Sequence, residues 1–120
     1  MNKGLNLGYC KYIQEFDVHN VDYSGVINLN EGLSRIENLE KYFNVNKRTG
    51  ESIKVLMDVR KYIKHSPETH DKLAKLSREI FHEKFEIFLA VLNPEHSTVL
   101  SANEAWFTSE KDAHNWLRDK

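Results

Sequence analysis

IKVLMDVRKY, residues 53–62, is the stretch that decides the fold. Ile53, Val55, Met57 and Val59 alternate on one face of an extended chain, while Leu56 adds an apolar group to the other. Coverage on both sides is the mark of a strand inside a parallel sheet. The run from Ile53 to Tyr62 is therefore read as the central strand of an α/β domain. It ends in Asp58, Arg60 and Lys61, at the carboxyl end of the strand, where open α/β sheets hold their ligands.

Downstream, Ser66 followed by Pro67 is the strongest helix start in the chain. The serine caps, and the proline stands at the first helical position, where its missing N–H costs nothing. Leu73, Leu76, Ile80 and, one residue out of step, Phe81 mark the buried side of this helix. FEIFLAVL, residues 85–92, is apolar on both faces apart from Glu86 and reads as a second interior parallel strand. Pro94 to Asn103 leaves room for two or three helical turns, after which Ala105, Trp106 and Phe107 form a short last strand. Thr108 or Ser109 then caps a closing helix, Glu110 to Arg118, that points Ala113, Trp116 and Leu117 inward.

Upstream, Tyr9 to Val18 alternates well enough for an edge strand, with His19, Asn20 and Asp22 as the turn of a hairpin. Its second arm is Tyr23 to Ile27, and Gly25 marks a bulge or a close backbone approach. Asn28 stands three residues ahead of Glu31 in capping-box spacing, and Ser34 with Glu37 is a rival start. The helix that follows carries Leu29, Leu33, Ile36, Leu39 and Phe43 as one apolar stripe. Asn44 to Ser52 is a charged loop with Gly50, returning the chain to the central strand. Residues 1–8 have no period and are expected to be a loose end.

The chain has 120 residues, enough for one domain spanning 1–120. Seventeen Lys and Arg balance eighteen Asp and Glu, a formal charge of −1 that offers no bias towards nucleic acid or an anionic membrane. Cys10 is the only cysteine, which excludes an intrachain disulfide and a multi-cysteine zinc site and suits a reducing compartment. With no apolar stretch of signal-peptide or membrane-spanning length, the expected location is the cytoplasm.

The order β β α β α β (short α) β α resembles STAS-like domains, the fold of anti-sigma factor antagonists and their STAS/Sec14 relatives. YSGVINLNE (23–31), VLMDVRKY (55–62), HSPETHDKLAKL (65–76) and WFTSEKDAHNWL (106–117) carry the likeness. It implies a β-α superhelix, a mixed and mostly parallel sheet of about five strands, with helices largely on one side. It also implies a non-catalytic regulatory or protein-interaction module, working with a protein partner or as a homo-oligomer and needing no cofactor. Two departures stand out. Lys64-His65-Ser66-Pro67-Glu68 replaces the Asp-Ser-Ser-Gly-type phosphorylation motif, and the connection after Pro94 is too short to wall a large lipid cavity.

Chemistry-bearing residues are few. The six histidines include no pair at i, i+4 to stack two metal ligands, His65 and His70 coming nearest to a cluster. No nucleophile elbow, phosphate loop or dinucleotide turn is present. Cys10, on an apolar-patterned strand, reads as an inert thiol. There remain Asp58 and Arg60 beside the Ser66 helix start, whose free N–H groups attract anions. Two readings stand: a site for a small anion or lipid head group, or an ion pair that only braces the strand end.

Overall fold

The computed structural model of the chain describes residues 7–46 and 52–120. Of the sequence expectations, the start of the loose N-terminal end and the loop positions 47–51, with Lys47, Arg48 and Gly50, lie outside the described residues.

Val55 and Leu56 are neighbours on strand β4 (Ile53–Asp58), point to opposite faces, and are 0% and 2% exposed. Both faces of the sheet are therefore covered here. On one side, Ile53 and Val55 join Val21, Ile87, Leu89 and Val91 beneath helices α1 (Leu29–Asn46) and α2 (Pro67–Arg78), through Ile36, Leu39, Phe43 and Leu73. On the other, Leu56 joins Val18, Ala90 and Leu92 beneath Ala113 and Leu117 of α3 (Glu110–Arg118). Two helices thus share a face while the third closes the opposite one, which tempers the expectation of helices largely on one side.

The architecture is α/β, with a mixed sheet of six strands and three helices. Its spatial order is β1 (Cys10–Ile13), β2 (Val18–Asp22), β4, β6 (Ile87–Leu92), β8 (Glu104–Phe107) and β7 (Thr98–Val99). The four inner strands are parallel, and β1 and β7 are added antiparallel at the two edges. Two further strands, β3 (Gly25–Ile27) and β5 (Tyr62–Lys64), pair in parallel as a separate ribbon. The strand count exceeds the five expected because β2 stands where a turn was read, β5 is a separate piece where the central strand was expected to end, and β7 lies where helical turns were expected.

The hairpin sits earlier than the sequence suggests. Its turn is Gln14–Asp17, and His19, Asn20 and Asp22 are strand residues. Asp17 takes the left-handed conformation (φ 54°) and accepts a 2.6 Å hydrogen bond from Tyr12 Oη, while Phe16 leaves the strand pattern to stack on His114 at 4.3 Å. An apolar residue in a turn thus imitated a strand. Gly25 makes no close approach; it supplies φ 80°, which redirects the chain from the main sheet to the ribbon.

Asn28 is the α1 cap, its Oδ1 accepting from Glu31 N at 2.8 Å, and the helix runs on to Asn46, past the loop start expected at Asn44. Leu33 is 37% exposed, and Gly32 faces the core in its place. The central strand stops at Asp58 rather than Tyr62. The one-residue slip between Ile80 and Phe81 marks a π-helical turn, Glu79–Lys84, which adds a residue to the last turn and buries both side chains.

No helix forms between Pro94 and Asn103, contrary to expectation. Asn93, 4% exposed, donates from Nδ2 to the carbonyls of His96 and Phe107 and accepts at Oδ1 from the amides of Glu95 and His96. Ser101 Oγ accepts from the amides of Asn103 and Glu104. These side chains take over backbone groups a helix would need, and β7 results. Ser109, not Thr108, caps α3.

A Cβ on Gly32 would lie 3.0 Å from Leu73 Cγ and closer still to both its methyl groups. Overpacking of this kind costs about 1–3 kcal/mol, against the gain of about 1 kcal/mol in helix propensity. Gly32→Ala is expected to lower stability in urea denaturation. A variant as stable as wild type would show that α2 can draw back from α1.

Candidate functional site

Strands β2, β4 and β6 end in register, Asp22 beside Asp58 and Asp58 beside Leu92. The carboxyl ends of three parallel strands thus form one edge, where ligands collect in open α/β sheets. A cleft of about 220 Å³ opens there, floored by Leu56 and Leu92 and walled by Lys11, Asn20, Asp22 and Glu110. Glu110 is the first residue of α3, so the closing helix supplies one wall and the edge hairpin the other. A second cleft of about 380 Å³ shares Glu110 and runs between α3 and the hairpin turn, past Phe16 and His114.

Asp58 forms the rim of the first cleft. Arg60 lies in the turn after β4, not on the strand, yet reaches Asp58 because Asp58 Oδ1 accepts its backbone N–H at 3.0 Å and curls the chain back. The guanidinium then meets the carboxylate as a fork, Nε to Oδ1 at 3.0 Å and Nη2 to Oδ2 at 2.8 Å. The hydrogen bond from Arg60 holds the Asp58 carboxyl below its ordinary range, overcoming partial desolvation, and Asp58 likewise holds Arg60 above its own.

Ser66 is placed elsewhere. Its Oγ accepts from Thr69 N at 3.1 Å as the α2 cap, it lines neither cleft, and no hydrogen bond or ion pair joins it to Asp58 or Arg60. Of the three residues read from the sequence, two are brought together and the third is separate.

Sequence reasoning missed Glu104. Its side chain is 5% exposed, Oε1 accepting from Arg78 Nη1 at 3.2 Å and His82 Nε2 at 2.9 Å, and Oε2 from Trp106 Nε1 at 2.9 Å. The only signal was Arg78 and His82 four residues apart on one helix, which says nothing of a partner 22 positions on. A π-helical turn carries His82, and such turns often accompany functional sites, but neither cleft reaches this cluster.

Burial pushes the Cys10 thiol up to about 11, so it is not a thiolate nucleophile near neutral pH. His70 Nδ1 lies 3.0 Å from Tyr62 Oη, and desolvation, with Lys64 nearby, lowers its pKa. Among the described residues, no group of three or more His, Cys, Asp or Glu is placed to hold a metal ion, and no helix is long and apolar enough to cross a membrane. No protein-family model, curated protein or solved structure matches the chain.

Two outcomes are expected. Asp58 has a depressed folded pKa, so its ion pair contributes stability in full above the ordinary carboxyl value of 3.8 and loses it as pH falls through the lower folded value. Asp58→Asn should accordingly flatten the acid limb of a stability-against-pH curve and change little at neutral pH beyond the small worth of an exposed pair. An unaltered acid limb would mean that the fork does not persist in solution. Glu104→Ala leaves Trp106 without its acceptor and should cost about 2–3 kcal/mol in urea denaturation, with Glu104→Gln costing less. Equal losses in the two variants would show that Trp106 is not held through this bond.

Proposed function

We propose that the chain is a non-catalytic regulatory or protein-interaction module of STAS-like type, working in the cytoplasm by what it binds at the carboxyl ends of its parallel strands. The cleft where Asp22, Asp58 and Leu92 end their strands carries this reading. The sheet order supports the likeness, since β2, β4, β6 and β8 lie side by side in chain order and α1 and α2 pack on one face.

The same cleft favours a second reading, a domain that holds a small ligand. It does not favour an anion held between Arg60 and Ser66, because Arg60 is committed to Asp58 through both arms of its fork and Ser66 stands apart. An anion would have to displace a carboxylate already in place.

The test uses the wild-type chain and an Asp22→Lys/Glu110→Lys double variant as baits in a lysate of the source cells, with sedimentation of each protein alone. The wild type is expected to retain a stoichiometric polypeptide or a second copy of itself, and the double variant to lose it. Retention by both would move recognition away from the strand ends. Monomers that retain nothing would remove the module reading.

A further inference from the structure

We infer that the ribbon of β3 and β5 takes an extended, acidic segment of a partner polypeptide as a third strand, added at the open edge of β3. This surface is separate from the cleft, and the inference stands whether or not the cleft binds anything.

The first argument is the backbone. Among the described residues β3 pairs with β5 alone, outside the six-stranded sheet. Gly25 donates its N–H to the carbonyl of Lys61 at 2.9 Å, which sets the phase of the parallel ladder. With Val26 opposite Ile63, the bonds to β5 fall to Gly25 and Ile27, and Val26 turns its N–H and C=O the other way. Neither group has a backbone partner outside the ribbon among the described residues. Such an edge is a template for another strand. The edge of β5 is blunted by comparison: the Tyr62 N–H is taken by the carbonyl of Val59, and Lys64 stands beside it.

The second argument is the outer face. Ile27 is buried in the core, so the alternate positions of the ribbon face outward. Val26 is 55% exposed and Ile63, its register partner, 58%. Two β-branched side chains thus lie side by side in solvent, ready to pack on a third.

The third argument is charge, and it decides between occupants. Lys61 and His65 flank Ile63 at two residues on either side, so the same face continues into them. The ribbon and its flanks, residues 24–28 and 61–65, hold two lysines and a histidine and no Asp or Glu. Lys61 acts on Asp58 only at a distance and Lys64 likewise on His70, and neither lysine forms an ion pair among the described residues. Asp22 and Glu68, the nearest acids in sequence that are not paired, belong to β2 and α2. A second copy would bring another basic ribbon against the first. A segment with an apolar residue between two acids on one face instead matches Lys61, Ile63 and His65. Paired to β3, it would lie about 10 Å from β5, a gap that a lysine and a glutamate side chain span together.

The experiment follows amide shifts of the isotopically labelled full chain during titration with a capped Thr-Glu-Thr-Val-Thr-Glu-Thr peptide, its counterpart with Lys in place of Glu, and phosphatidylserine vesicles. The Glu peptide is expected to shift Gly25, Val26 and Ile63 saturably, and the Lys peptide to bind about tenfold more weakly, having reversed two exposed charge contacts. Val26→Pro removes an N–H that makes no bond within the ribbon, so it should abolish the Glu-peptide shift at Ile63 in a chain that stays folded. Should that variant not fold, Lys61→Glu carries the test by narrowing or reversing the preference between the peptides. Asp22→Lys/Glu110→Lys should keep the ribbon shifts, so that failure here and failure of the cleft reading show separately.

Equal binding of the two peptides would overturn the acidic assignment, and so would binding that neither ribbon variant alters. Ribbon shifts with vesicles and none with the Glu peptide would assign the surface to a membrane, and shifts that grow with protein concentration alone would assign it to a second copy; either overturns the proposal. So does the absence of any saturable shift.

Discussion

Everything in this structure depends on two consecutive residues facing opposite ways. Val55 and Leu56 are both fully buried, which demands a layer of helix on each face of the sheet at β4. Once that is required, α1 and α2 take one face and α3 the other, and the strand that carries Asp58 is packed between them. Burying Val55 and Leu56 contributes about 1.5–3 kcal/mol for each such side chain. The rim of the cleft is therefore attached to a strand buried on both faces, while its walls come from an edge hairpin and a short helix.

Much of this was legible because the inner strands and helices bury periodic faces. The double coverage read over 53–62 and found over 53–58, the both-faced run read over 85–92 and found over 87–92, and the closing helix follow from apolar spacing, and the cap at Ser66 from the proline after it. What escaped was set by polar side chains acting on nearby backbone. Asn93 and Ser101 hold an extended turn where a helix was expected, and Asp17 sets a tight turn inside an apparently continuous strand. Such bonds depend on local geometry that a hydrophobic pattern does not encode.

The candidate site divides along the same line. Asp58 and Arg60 could be paired from sequence because they are two residues apart, though they meet through a turn rather than along a strand. Asn20, Asp22 and Glu110 could not, since they come from two other elements and share a wall only through the register of β2 on β4 and the placement of α3. Glu104 was equally out of sight. Its partners Arg78 and His82 lie on the helical layer, and its burial follows from β8 packing beside β6.

The two faces of the sheet differ in when they can be completed. Helices α1 and α2 are formed from chain that precedes β6, so the layer containing Phe43 and Leu73 can close once β6 is made and before α3. The opposite layer has no helix until α3, the last element described, has been made. Until then Leu56, Ala90 and Leu92 have no cover, and a nascent or shortened chain presents a greasy plane to its surroundings. The wall of the cleft that contains Glu110 is also missing during that interval, so the cleft and the cover of the second face are completed in the same step.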